Sequence, residues 1–201
     1  MSEPAISVFS VAVSGERHIP CRRPERGFTL IELLVAICVT ALLLTIAAPS
    51  IAQLVTSLQL SSASNSFVSG LHLARNEAIK RNGRVVLCKT ADGMSCTSTG
   101  GWEQGWLIFH DANNNSLRES SEQIIHRQLP LAASLRMTGN LNIATYVSFV
   151  PTGATKLIGG AFQAGTLTVC RESLSAVDAR QIVLNAAGRP RVHKTIIPSC
   201  G

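Results

Sequence analysis

The chain has 201 residues, 46% of them hydrophobic, and carries 18 Lys and Arg against 12 Asp and Glu, a formal charge of +6. That length suits one globular domain beside an apolar N-terminal span. The chain shows no internal repeat and no long linker, which excludes a repeat array or a string of domains. Residues 1–27 form a polar leader with Glu3, Glu16 and Glu25 against Arg17, Arg22, Arg23 and Arg26. Residues 28–50 are expected to be a membrane helix. Phe28–Ala48 is almost wholly apolar, and at helical rise it extends about 32 Å, enough to cross a bilayer core. The bases before the run keep the leader on the cytoplasmic side and send the rest of the chain across. One carboxylate, Glu32, lies inside the span. An intramembrane carboxylate costs on the order of 2.5–3.5 kcal/mol on insertion scales, so it calls for a partner. A secretory signal places its small-residue cleavage site after the apolar core, whereas Gly27 stands before it.

The run Arg26-Gly27-Phe28-Thr29-Leu30-Ile31-Glu32 resembles the class III signal of type IV prepilins and pseudopilins. The resemblance implies that prepilin peptidase cuts between Gly27 and Phe28 and methylates the new N-terminus. Glu32, the fifth mature residue, then pairs with the N-terminal amine during filament assembly, and such a pair explains how a buried charge is tolerated. Pro49 stands where pilins often carry a kinking proline. The leader is long for that family, as a start codon placed too far upstream would make it. The implied location is the inner membrane, single-pass, with a periplasmic C-terminal domain.

Residues 51–83 should continue the helix as an amphipathic half. Ile51, Val55 and Leu58, then Phe67, Leu71, Ala74 and Ala78, recur at steps of three and four. Glu77 and Arg81 form an i,i+4 pair in the favourable order, and Asn82-Gly83 supplies a stop. The predicted helix runs from about Phe28 to Arg81. Residues 84–201 then read as strands with a basic tail: 84–88, 105–110, 123–128, 135–138, 146–150, 166–170, 181–185 and 190–193, separated by turn residues. The expected fold is α+β, a long N-terminal helix packed on antiparallel sheet. The segments Leu73–Asn82 with Val85–Cys88, and Gly101–Phe109 with its Asp-Ala-Asn continuation, look like the GspH/FimT-type pseudopilins. That branch includes the minor pseudopilin of type II secretion and a minor pilin of type IV pilus systems. The resemblance covers nearly everything from Arg26 to Cys200. It implies assembly with other major and minor pilins or pseudopilins.

Cys21 leaves with the leader and Cys38 sits in the membrane helix, so Cys88, Cys96, Cys170 and Cys200 remain for an oxidising compartment. Four cysteines allow three pairings. Cys88–Cys96, closing a short loop, and Cys170–Cys200, tying down the tail, are the favoured ones. A zinc site lacks CxxC spacing and nearby histidine, so no metal is expected. Asp111, Asn113, Asn115 and Glu122 have the spacing of an EF-hand loop, but Ser116 replaces its glycine and no helix pair flanks it, so an ordinary turn is expected. Trp102 and Trp106 read as packing residues rather than base-stacking ones. No nucleophile elbow and no phosphate-cradling glycine loop is present, so neither enzyme activity nor a cofactor is expected.

The tail carries Gly188-Arg189-Pro190-Arg191, followed by His193 and Lys194, and no acid follows Asp178. In the type IV pilus branch, a GRxR motif near the C-terminus is associated with DNA binding for natural transformation. Guanidinium groups contact phosphates bidentately and stay charged. In an extended segment Arg189, Arg191 and His193 share one face, and Pro190, Val192 and Lys194 the other. The bland alternative is a solvated basic edge strand. The expected DNA-contacting residues are Arg189, Arg191 and Lys194, and three neutralised phosphates imply a salt slope near −2.7. No base-reading element is evident, so binding should be independent of sequence. The alternative function is that of a structural tip pseudopilin of type II secretion with no nucleic-acid role.

Overall fold

The structure, a computed structural model, describes residues 27–201. The leader expected over residues 1–27 lies, apart from Gly27, outside the described residues. Helix α1 is Leu30–Arg81. Its start is set by Thr29, whose hydroxyl accepts the Glu32 amide at 3.3 Å while its carbonyl accepts the Leu33 amide at 3.1 Å. A threonine followed three residues later by glutamate is the sequence mark of such a helix start.

The chain divides into two compact units at Thr45/Ile46. In the first, Gly27–Thr45, the apolar side chains are exposed. The Thr40 hydroxyl returns to the Ala36 carbonyl and the Thr45 hydroxyl to the Leu42 carbonyl, so these polar groups are satisfied inside the helix. Among the described residues, no single helix is long and apolar enough to cross a membrane by itself; the segments Leu30–Thr45 and Ser50–Arg81 pass that test only jointly.

In the second unit, Ile46–Gly201, α1 lays a stripe of Leu60, Ala63, Phe67, Leu71, Ala74 and Ala78 into the core. The steps of three and four put these on one face. The helix stops where Asn82 takes a left-handed conformation (φ 49). The Gly83 amide reaches the Ala78 carbonyl at 3.2 Å and the Asn82 amide the Ile79 carbonyl at 3.3 Å, closing the last turn.

Eight strands follow: β1 (Arg84–Lys89), β2 (Trp106–Asp111), β3 (Ile124–Gln128), β4 (Leu135–Gly139), β5 (Tyr146–Phe149), β6 (Gly165–Arg171), β7 (Val177–Leu184) and β8 (Pro190–Ile197). They make two antiparallel four-stranded sheets, ordered β3-β2-β1-β5 and β4-β6-β7-β8. The fold is the expected long helix packed on antiparallel sheet. Two strands are much longer than the sequence pattern suggested. β7 begins at Val177 and β8 runs on to Ile197, because the two pair without a break from Leu184↔Pro190 to Val177↔Ile197. Cys170–Cys200 bonds the tail onto the neighbouring strand beyond them.

The core is centred on Phe67, which meets Trp102 and Trp106 edge-on at ring-centroid distances of 5.1 and 5.3 Å. Both tryptophans are fully buried. The Trp102 indole donates to the Ile143 carbonyl at 3.0 Å. Trp106 Nε1 finds no acceptor; it lies against Gly70, where a Cβ would come within 3.0 Å of it. That close approach gives the mid-helix glycine a packing role.

Candidate nucleic-acid interface

β7 and β8 are joined by a tight turn over Asn185–Arg189. The Gly188 amide donates to the Asn185 carbonyl at 2.9 Å, and the Asn185 side chain accepts the Arg189 amide at 2.9 Å. Gly188 has φ 72 and is buried. A Cβ there would collide with the Gly153 carbonyl and come within 2.9 Å of the Phe149 ring. Only glycine meets both demands without strain.

The turn is held from two other parts of the chain. Arg75 of α1 donates from Nη1 to the Gly188 carbonyl at 3.2 Å. The Thr155 amide donates to the Ala186 carbonyl at 3.1 Å, and the fully buried Thr155 hydroxyl lies 3.2 Å from the Asn185 carbonyl. The base of the hairpin is therefore fixed to the helix and to the 150–156 loop, while its arginines point away. Arg189 and Arg191 are exposed and make no side-chain hydrogen bond or ion pair among the described residues.

Register decides which cations share a face. Arg191 stands opposite Val183, and His193 opposite Gln181, with His193 Nε2 and Gln181 Oε1 at 2.8 Å. These lie on the sheet face turned away from α1. Lys194 stands opposite Arg180, whose guanidinium donates to the Ser57 hydroxyl of α1 at 3.1 Å. Lys194 thus belongs to the helix-facing side of the sheet. It stands on the face opposite Arg191, as the two-residue period of an extended strand leads one to expect. One residue escaped the sequence reading. Arg75 is 113 positions from Gly188 and no local pattern links them. His193 lies on Arg191's face, as the alternation along the segment led one to expect.

The remaining predicted residues are spread elsewhere. Gly27, Phe28 and Glu32 are exposed at the N-terminal end of the first unit. Cys88 is bonded to Cys96 and Cys170 to Cys200. The first bridge closes a loop that the buried Lys89 also clamps, through Nζ to the Ser98 and Gly100 carbonyls at 3.2 and 2.7 Å. Burial lowers the Lys89 pKa, opposed by the charge of Glu103. In that loop Asp92 accepts from Ser95, Met94 and Thr90, and these bonds hold its carboxyl far below the usual range.

Asp111–Glu122 is a turn system held by its own side chains. Asp111 accepts the amides of Asn115 and Ser116, and Glu122 those of Ala112 and Glu119. Asn114 and Ser116 are left-handed (φ 63 and 58). Burial raises the Glu122 pKa, whereas bonds from Asn115 and Asn113 lower that of Glu119. No cluster of three His, Cys, Asp or Glu suited to a metal occurs among the described residues.

Two family models match the chain: type II transport protein GspH over residues 63–188, and the prokaryotic N-terminal methylation motif over residues 22–48. The chain belongs to the GspH family. The methylation motif implies processing by prepilin peptidase and assembly with other pilins. The GspH match stops at Gly188, so the glycine of the turn lies within it and Arg189 and Arg191 lie beyond it.

Among solved structures, the type IV minor pilin FimU of Pseudomonas aeruginosa aligns at 17% identity with a TM-score of 0.51, covering 72% of this chain and 97% of FimU. The minor pseudopilin EpsH from the Type 2 Secretion System of Vibrio cholerae aligns at 13% identity and a TM-score of 0.46, covering 67% of this chain and 96% of EpsH. The first of these shares the fold. No curated protein matches the chain.

Proposed function

We propose that this GspH-family protein is a minor pilin that supports pilus biogenesis and binds DNA without sequence preference through the β7–β8 turn. Its N-terminal helix anchors it in the inner membrane, prepilin peptidase cuts between Gly27 and Phe28, and the second unit lies in the periplasm. Glu32 meets the amine of Phe28 in the assembled filament. Arg189 and Arg191 carry the DNA contact, each donating a planar pair of N–H groups to a phosphate.

One observation carries the DNA reading. Arg75, Arg81, Arg84, Arg118, Arg136, Arg171 and Arg180 all donate side-chain hydrogen bonds within the second unit. Arg189 and Arg191 do not, although the turn beneath them is fixed from two sides. Arg127, the other exposed arginine without such a bond, lies on β3 in the other sheet. A rigid turn presenting two unpartnered guanidiniums is suited to a ligand outside the chain.

The test is fluorescence anisotropy of labelled duplex DNA with the full chain in detergent. Two phosphate contacts give a salt slope near −1.8, about 12-fold weaker binding between 50 and 200 mM salt. Arg189→Ala/Arg191→Ala should abolish binding, and Lys194→Ala should leave it nearly intact. Unaltered, salt-sensitive binding by the double variant would place the site elsewhere; no binding by the wild-type chain would end the reading.

The second reading is a structural subunit of a type II secretion pseudopilus. The description of the matching family, a type II transport protein, favours it. Neighbouring genes separate the two readings: pilus-assembly and competence genes against secretion genes.

A further inference from the structure

The helix-facing side of the sheet carries a second group of cations, distinct from the turn. Arg180 is nine-tenths buried, yet its guanidinium meets no carboxylate: it donates only to the Ser57 hydroxyl and to its neighbour's carbonyl at Ala179. Arg171, on the same face of β6, donates to the Thr56 hydroxyl at 3.2 Å. Lys194 stands directly opposite Arg180 on β8. Arg171 and Arg180 therefore bond neighbouring residues of one turn of α1, with Lys194 across the strand from Arg180. Asp178 is the acid on this face of β7, and it forms no ion pair with them within 4.0 Å among the described residues.

Beside these cations the surface is apolar. Leu58, one residue from Ser57, is 60% exposed, and Ile196, which shares Lys194's face, is 70% exposed. A cationic group interleaved with exposed aliphatic side chains is the composition that binds a bilayer interface. Chain continuity brings such an interface within reach. Ser57 is nine residues past Ala48, the end of the apolar span, or about 14 Å of helix at most. Headgroups extend beyond the hydrocarbon core, long arginine and lysine arms reach toward them, and the Debye length at physiological salt is about 8 Å.

We propose that Arg171 and Lys194 rest on the phosphate layer of an anionic bilayer, with Leu58 and Ile196 dipping into its interface and the buried Arg180 adding its charge from behind them. The inference rests on the anchoring of the N-terminal helix and is independent of the DNA reading, because the arginines of the turn face the other way.

The experiment uses the full chain reconstituted into vesicles of phosphatidylcholine alone, or of phosphatidylcholine with phosphatidylglycerol. Flotation first reports anchoring, and hydrogen exchange then reports protection of residues 51–60 and 190–197. Protection should appear in the anionic vesicles, fade at high salt, and be absent in the neutral ones. Each cation near such a surface contributes about fivefold, so Arg171→Gln/Lys194→Gln should weaken the interaction about 30-fold. Both residues are exposed, and unchanged exchange in β1 and β2 confirms that the variant is folded. A chain that floats but shows equal exchange in both lipids overturns the proposal and leaves the anchor standing. Failure to float overturns the anchor and the proposal together. Protection that tracks protein density rather than lipid charge assigns the face to a second copy.

Discussion

Replacing Gly188 with alanine tests whether the turn that carries the arginines is rigid. Two costs add. Alanine at a φ of 72 pays the left-handed penalty of about 1–2 kcal/mol. Its Cβ also strikes the Gly153 carbonyl, which cannot retreat easily: Gly153 itself has φ 77, and the Arg75 and Ile79 side chains fill the place where its own Cβ would stand. Overpacking of that kind costs about 1–3 kcal/mol, so the total loss should be about 2–5 kcal/mol. For a unit of this size the melting temperature should fall by roughly 4–20 °C, followed by near-ultraviolet circular dichroism of the buried tryptophans. The control is Gly159→Ala, where the new methyl would meet nothing within 4 Å and φ is not left-handed. That change should be neutral or stabilise by up to about 1 kcal/mol. The Gly188 variant should also bind DNA more weakly, since the arginines move with the turn. Equal stability of the two variants would refute the reasoning, because it would mean that the turn relaxes at no cost.

Phe67→Ala should cost about 3–5 kcal/mol, because it leaves Trp102 and Trp106 facing a cavity; urea unfolding checks this, and a loss below about 1 kcal/mol would contradict the packing described. Removing Cys170–Cys200, which spans 30 residues, should cost about 3.6 kcal/mol on the chain-entropy model, against about 2.5 kcal/mol for Cys88–Cys96, which spans 8; the order of the two double-serine variants is the test. The Asp92 carboxyl is held below its ordinary pKa, so between the two values the unfolded chain binds the extra proton. Its contribution is present above about pH 3.8 and is lost as pH falls further, so Asp92→Asn should flatten the acid limb of a stability profile.

Much of the fold was legible because it rests on local chemistry. The three-and-four spacing from Phe67 to Ala78 marked the buried helix face, and Asn82-Gly83 marked its end; both act within one or two turns of chain. β-branched runs between turn residues marked all eight strands. Their assignment to sheets was not legible. β4 leaves its sequence neighbour β3 and pairs with β6, while β5 returns to lie beside β1. Such choices depend on how both sheets cover one helix, and no short window records that. The ends of β7 and β8 were missed for a related reason. Asp178 is of a type common in turns, but its unbroken pairing with β8 holds the extended state there.

The candidate site shows where local reading stops. The turn motif is one string in the sequence, yet its parts answer to different causes. Gly188 answers to the fold: a left-handed φ, the Gly153 carbonyl and the Phe149 ring require it whatever the protein does. A glycine there would persist in a family member that never met DNA, so its presence says little about ligand. Pro190 likewise suits the first position of an edge strand. Arg189 and Arg191 have no such explanation, since nothing in the second unit bonds their side chains. The functional content of the four residues therefore sits in the two arginines. The discriminating variant is the one that removes them and keeps Gly188. If that variant is as stable as the wild-type chain and loses DNA, the arginines serve a ligand; if it loses stability instead, they serve the fold, and the DNA reading falls with them.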